Sequence, residues 1–310
     1  MSRSRQFEPE DQRTPEPSAS RTSHRENEAE GQHLGRGSSG GTQEVEGRGP
    51  DARESKERPR PRRTHRDRDR TYHLRDSEMA ALAEIGKFRT VRTEDLVETL
   101  YRGDNDRATQ DLRNLTAQGL IRQRTLDGTE KDQLLTVTRT ASQFLKTNRP
   151  PDFHSNQAVH HGFVKPREAR HDAMLYRLYH KAAEKIVRQG GTKLRVILDY
   201  ELKRTLYREL AKLKAVPAED QAKTKAQIAE AHELKLVNGK IPLPDLRIEY
   251  ETRDGEQARV DLELATKDYR SHHVREKAQA GFSIYAPAEE APRLRAALQD
   301  PHLISEILSL

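Results

Sequence analysis

The sequence predicts a mixed chain of helices and strands, α+β in its first folded part and α/β in its second, preceded by a disordered tail. Three observations carry that expectation. Residues 1 to about 70 offer only Met1, Phe7, Leu34 and Val45 as large apolar side chains, too few to offset the entropy lost on ordering. Residues 71–149 show helical apolar spacing followed by two short alternating runs. Beyond residue 170 a helix leads into strand patterns, the clearest being two alternating arms between Pro244 and Lys267.

With 310 residues the chain has room for two ordinary domains and a tail. Cysteine is absent, which excludes a disulfide framework and a thiolate zinc site and suits a reducing, cytoplasmic setting. No apolar run is long enough to span a bilayer, and the Arg-, Glu- and Ser-rich start is no signal peptide. A membrane partner is therefore not expected. The net charge of +6 is modest, but seven arginines and two aspartates crowd into Arg58–Arg70. Such a run can follow a phosphate backbone by releasing counterions; the alternative is a solubilising leader.

The first folded part reads in order. Asp76 or Ser77 caps a helix with Met79, Leu82 and Ile85 inward, and Thr93 caps a second with Leu96, Val97 and Leu100 inward. Asp104 or Asn105 caps a third with Ala108, Leu112 and Leu115 inward, stopped by Gly119. Leu120–Leu126 and Leu134–Val137 then read as strands flanking the Asp127-Gly128 turn region, and a short helix follows from Arg139. Three helices and a hairpin in this order make a winged helix-turn-helix. The outward face of the third helix carries Arg107, Gln110, Arg113, Asn114 and Gln118, side-chain types that bond to base edges in the major groove. Arg122 and Arg124 lie on the hairpin, where a wing meets phosphate or the minor groove. Double-stranded DNA is the expected partner. Because residues 71–150 hold 13 basic against 12 acidic residues, a protein-binding winged helix is the alternative.

Residues 150–169 read as a linker rich in Pro, His, Asn and Gly. The second domain spans 170–310. A helix runs from about Arg170 to Gln189, a strand from Leu194 to Tyr200, and a helical insertion broken at Pro217 fills 201–235. That insertion is an exposed charged hairpin or a dimerisation arm, the latter making a homodimer. The two alternating arms follow as strands, with Asp254-Gly255 as their turn. Then come a helix at about 271–280, a strand at 282–285 and two closing helices up to Leu310. On the second arm Val260, Leu262 and Leu264 share one face, while Asp261, Glu263, Ala265 and Lys267 share the other.

Setting the insertion aside, the order is helix, three strands, helix, strand, with Asp245 opening the second strand and Glu263 inside the third. That order resembles the PD-(D/E)XK nuclease fold, a restriction-endonuclease-like domain. The resemblance implies that Asp245 and Glu263, with Asp261 beside them, hold Mg²⁺, a hard cation that prefers oxygen ligands and activates water. It also implies a catalytic lysine, whose motif position is occupied here by Ala265. Lys267 on the same face or Lys277 on the following helix would replace it.

Across roughly residues 72–290 the chain also resembles the replication-relaxation family of plasmid and mobile-element proteins. The pieces that match are Leu112-Arg-Asn-Leu115, Gly119-Leu-Ile121, Leu135-Thr-Val-Thr138, His171, Pro244-Asp245, the Asp-Leu-Glu-Leu-Ala-Thr run, Lys277 and Tyr285. This implies DNA handling in replication or relaxation, with a relaxase or replication initiator as a further partner and a Mg²⁺-dependent endonuclease as the candidate activity. Two other classes stay open: a winged-helix transcriptional regulator, and a non-catalytic adaptor with a degenerate nuclease-like domain.

Overall fold

The apolar spacing in the first folded part becomes three helices and a small sheet, as expected. The computed structural model describes residues 61–125, 133–266, 269–298 and 307–309. Helix α1 (Asp76–Gly86) starts one residue after Arg75, whose N–H donates to the Glu78 carboxylate at 2.7 Å. Strand β3 (Val91–Arg92) leads into α2 (Thr93–Thr99). Asp104 caps α3 (Asn105–Ala117) by accepting from the Arg107 N–H at 3.0 Å, and Gly119 beyond its end has φ +69°. Strands β4 (Ile121–Thr125) and β5 (Gln133–Val137) pair antiparallel, with β3 on the other side of β5. Thr138 then caps α4 (Arg139–Thr147), accepting from the Ala141 N–H. The expected Asp127-Gly128 turn lies outside the described residues.

Ahead of α1, β1 (Arg63–Asp67) and β2 (Arg70–Leu74) form an antiparallel hairpin. The expectation of a disordered tail through residue 70 is corrected at its distal end; residues 1–60 lie outside the described residues. The hairpin is anchored by apolar contacts that its arginine-rich sequence conceals. Tyr72 and Leu74 are buried, and the rings of Tyr72 and His65 stand edge-on to Phe144 at 5.0 and 6.1 Å.

Residues 148–165 contain no helix or strand and run as a strap over both parts. Gln157 is buried and brackets the Val196 backbone, donating to its carbonyl and accepting from its N–H, each at 2.9 Å. The His160 N–H donates to the Gly86 carbonyl at 2.8 Å. His160, in the segment that reads as a linker, is buried with its Nδ1 against the Tyr200 hydroxyl and its Nε2 3.4 Å from Glu201. Phe88 meets Tyr176 and Tyr179 with ring centroids 5.1 and 5.4 Å apart, so one apolar core runs through both parts.

Pro166 opens α5 (Pro166–Arg188) four residues before the expected start, because proline at the first helical position sacrifices no hydrogen bond. Strand β6 (Thr192–Leu198) follows, then α6 (Asp199–Leu210), a 3₁₀ turn (Ala211–Ala215) and α7 (Ala218–Ala231). Next come β7 (Leu246–Glu251), β8 (Gln257–Leu264), α8 (Ser271–Gln279), β9 (Ser283–Ala286), α9 (Ala291–Leu298) and β10 (Ile307–Ser309). The sheet runs β10-β9-β8-β7-β6, antiparallel across β6, β7 and β8 and parallel across β8, β9 and β10. The second closing helix is corrected: residues 307–309 extend the sheet beside β9, where they complete its open backbone edge. Leu246, Ile248, Leu262 and Leu264 are fully buried in the core they share with Leu175, Leu178 and Ala182 of α5. The opposite face carries the charges.

Candidate active site

Asp245 sits where the chain enters β7. Its N–H donates to the Leu262 carbonyl and its own carbonyl accepts from the Asp199 N–H, both at 3.0 Å. The side chain is aimed across the strands, with Oδ2 accepting the Leu264 N–H at 2.9 Å and lying 3.4 Å from His171 Nε2. Strand register therefore seats this carboxylate between the backbone positions flanking Glu263.

Glu263 itself is 1% exposed. Lys277 Nζ reaches from α8 to 2.8 Å of Oε1, and the Tyr269 hydroxyl donates to the same oxygen. Oε2 is buried without a hydrogen-bond partner among the described residues. Burial, then the neighbouring charge of Asp245, pushes the Glu263 carboxyl up to about 7, against the opposite pull of Lys277 and Tyr269. Lys277 also donates to the Leu243 carbonyl at 2.6 Å. Ala265 is fully buried against Val274, Ile284 and Leu294, so the motif position has no room for a lysine. Lys277 brings an ammonium to Glu263 from the neighbouring helix. Lys267 lies outside the described residues.

Two residues join the acid pair that spacing did not single out as functional. His171 on α5 lies between Asp245 and Asp172, the latter at 3.8 Å. Burial alone would lower its imidazole, but bonding to Asp172 and Asp245 outweighs this and raises it to about 10. Asp172 in turn faces Arg89 at 3.4 Å, connecting the acid pair to the loop after α1. Tyr269 sits in the loop before α8, and burial beside Glu263 and Asp245 raises its hydroxyl. A loop tyrosine carries no periodic signal, and only the fold brings it to Glu263.

Asp261 goes elsewhere. Both of its oxygens accept from Arg247, the residue opposite it on β7, at 2.6 and 3.0 Å. Arg247 is 3% exposed and also donates to the His232 carbonyl at 3.0 Å. A carboxylate so neutralised is a structural ion pair, apart from the group expected to hold metal.

Among the described residues no group of three or more His, Asp or Glu side chains gathers where a metal ion could sit. The two-carboxylate pair still fits Mg²⁺, which often takes one or two carboxylates and keeps its waters. The unpartnered Oε2 of Glu263 is a hard oxygen donor without another use.

On the first part, Arg107, Gln110, Arg113, Arg122 and Arg124 are exposed and Asn114 is half-buried. Three neighbours along α3 are partly occupied: Gln110 accepts from Arg75 at 2.9 Å, while Asn114 and Gln118 donate to the His73 carbonyl at 3.2 and 3.0 Å. Arg113 lies on the open arc between that side and Thr116, which faces Gln123 of β4. Arg122 and Arg124 line a groove of about 960 Å³ together with Arg139 and His161; these last two come from α4 and the strap, beyond the reach of hairpin spacing. No protein-family model matches the chain, and no curated protein and no solved structure matches it either.

Proposed function

We propose that the chain binds double-stranded DNA through α3 and β4, and cleaves a phosphodiester with a Mg²⁺-dependent centre built on Asp245 and Glu263. The observation that carries this is the convergence of Asp245, Glu263, Lys277 and His171 at one end of the β7–β8 pair. The helix–strand–helix–helix–strand–strand order of α1 to β5 supports a winged helix, and α5-β6-β7-β8-α8-β9 supports a nuclease-like core. The resemblance to the replication-relaxation family supports reading plasmid or mobile-element DNA as the substrate.

Asp245 and Glu263 would hold Mg²⁺, which when bound polarises phosphate and lowers the pKa of water. Glu263 Oε2, buried without a hydrogen-bond partner among the described residues, is the oxygen left to face that ion. Lys277 Nζ keeps Glu263 oriented and offers positive charge to the phosphoryl oxygens as they gain charge. His171, held protonated, fixes Asp245 and adds a second cation.

A non-catalytic regulator or adaptor is favoured by one observation: the Lys277 ammonium is already engaged by Glu263 and the Leu243 carbonyl, as in a structural ion pair. Supercoiled plasmid decides between them. With Mg²⁺ the protein should convert it to open circles, and Asp245→Asn should abolish conversion while leaving DNA binding by anisotropy intact. DNA binding without nicking by the wild-type protein selects the adaptor.

A further inference from the structure

We propose that the β1–β2 hairpin is a second arginine-bearing arm, which grips the phosphate backbone of duplex DNA on the side of α3 opposite β4. This rests on the DNA reading above and adds a surface to it. Arg66, Arg68 and Arg70 are exposed, and their side chains make no hydrogen bond or ion pair among the described residues. The hairpin is held beside α3 by three hydrogen bonds to the backbone of one residue: the His73 N–H donates to Gln118 at 3.0 Å, and its carbonyl accepts from Gln118 and Asn114. Arg75, just after β2, donates to Gln110 and Asp111 at 2.9 and 3.0 Å.

Positions 110, 114 and 118 form one stripe of α3, and Thr116 lies on the other side of its exposed arc. β2 covers the stripe and β4 abuts Thr116. Thr109, Arg113 and Ala117 are left exposed between two basic hairpins. A helix seated in a groove with a positive arm on each flank matches the charge of a duplex, whose phosphate strands border that groove.

The tip supplies an independent argument. Arg68 is the first residue of the two-residue link between Asp67 and Arg70 and has φ +52°. Glycine or asparagine is ordinarily preferred where such links need positive φ, because a side chain there is strained. Four arginines against two aspartates in Arg63–Arg70 give the tip the sign that DNA attracts. Arg68 holds its guanidinium at the exposed apex of the arm despite that preference.

The test separates strain from contact. Full-length wild-type protein, Arg68→Gly and the triple variant Arg66→Ala/Arg68→Gly/Arg70→Ala are titrated into labelled duplex DNA at several KCl concentrations. Arg68→Gly should leave the melting temperature unchanged or higher, yet weaken binding several-fold and reduce the log–log salt slope by about one. The triple variant should lower the slope by about two to three. If Arg113→Ala and Arg122→Ala weaken binding while both hairpin variants match wild type, the second arm is overturned and the DNA reading stands. If the wild-type protein binds no DNA, both fall. Tighter binding to duplex RNA than to DNA overturns the choice of partner.

Discussion

Asp261 and Glu263 stand two residues apart on one face of β8, in nearly the same sequence setting, and their environments differ in kind. Asp261 faces Arg247, which closes both oxygens in a bidentate pair. Glu263 shares one oxygen between Lys277 and Tyr269, keeps the other without a partner among the described residues, and feels the charge of Asp245. One end of the β7–β8 pair is thus electrostatically satisfied and the other is not. Unsatisfied buried charge costs stability and is tolerated where it serves chemistry, so under the proposed function the difference marks Glu263, and not Asp261, as the acid available to the reaction.

The largest expected effect is at the satisfied end. Arg247→Ala leaves Asp261 half-buried and uncompensated, and should cost about 3–5 kcal/mol in urea unfolding. A cost below about 1 kcal/mol would mean that the pair is solvated and the contrast weak. At the other end, Lys277→Ala should lower nicking by on the order of 10²-fold, as loss of one oriented charge does. Binding to DNA should stay unchanged; nicking at the wild-type rate would transfer the role to another cation.

Next comes pH. The Glu263 carboxyl is raised in the folded state to about 7 from an ordinary 4.5, so the folded protein binds this proton more tightly than the unfolded chain. Its contribution is complete below pH 4.5 and is lost as pH rises through about 7. Stability should therefore fall over that window by on the order of 3 kcal/mol. Glu263→Gln should flatten the fall, and an equally steep profile in that variant would assign it to another group. The smallest effect concerns the exposed face of α3. Arg113→Ala should cost about 1–3 kcal/mol for a preferred DNA site and less for random sequence, as a base contact does. Equal losses on both would make Arg113 a phosphate contact.

Much of the second part was legible because strand alternation is strict. The Asp254-Gly255 turn fixed the two arms, and alternation gave the face of Glu263, while the resemblance to the nuclease fold paired it with Asp245. The same alternation put Asp261 on that face, since periodicity tells which face a side chain takes and not which cross-strand neighbour meets it. Arg247 lies 14 residues away, and that pairing is a product of register. His171 and Tyr269 escaped as site residues for a related reason: each reaches the acids from another element. Residues 63–70 of the β1–β2 hairpin read as tail because its buried apolar side chains, Tyr72 and Leu74, lie beyond them, and two apolar side chains next to an arginine run give no recognisable period.

The contrast between the two ends of β8 is tested most directly by Mn²⁺-dependent thermal unfolding of four proteins: wild type, Asp245→Asn, Glu263→Gln and Asp261→Asn. A ion that binds only the folded state raises the melting temperature by mass action. Wild type and Asp261→Asn should each rise above their own metal-free value, whereas Asp245→Asn and Glu263→Gln should not move. A shift that is absent from wild type, or that disappears with Asp261→Asn and survives in the other two, would contradict the account.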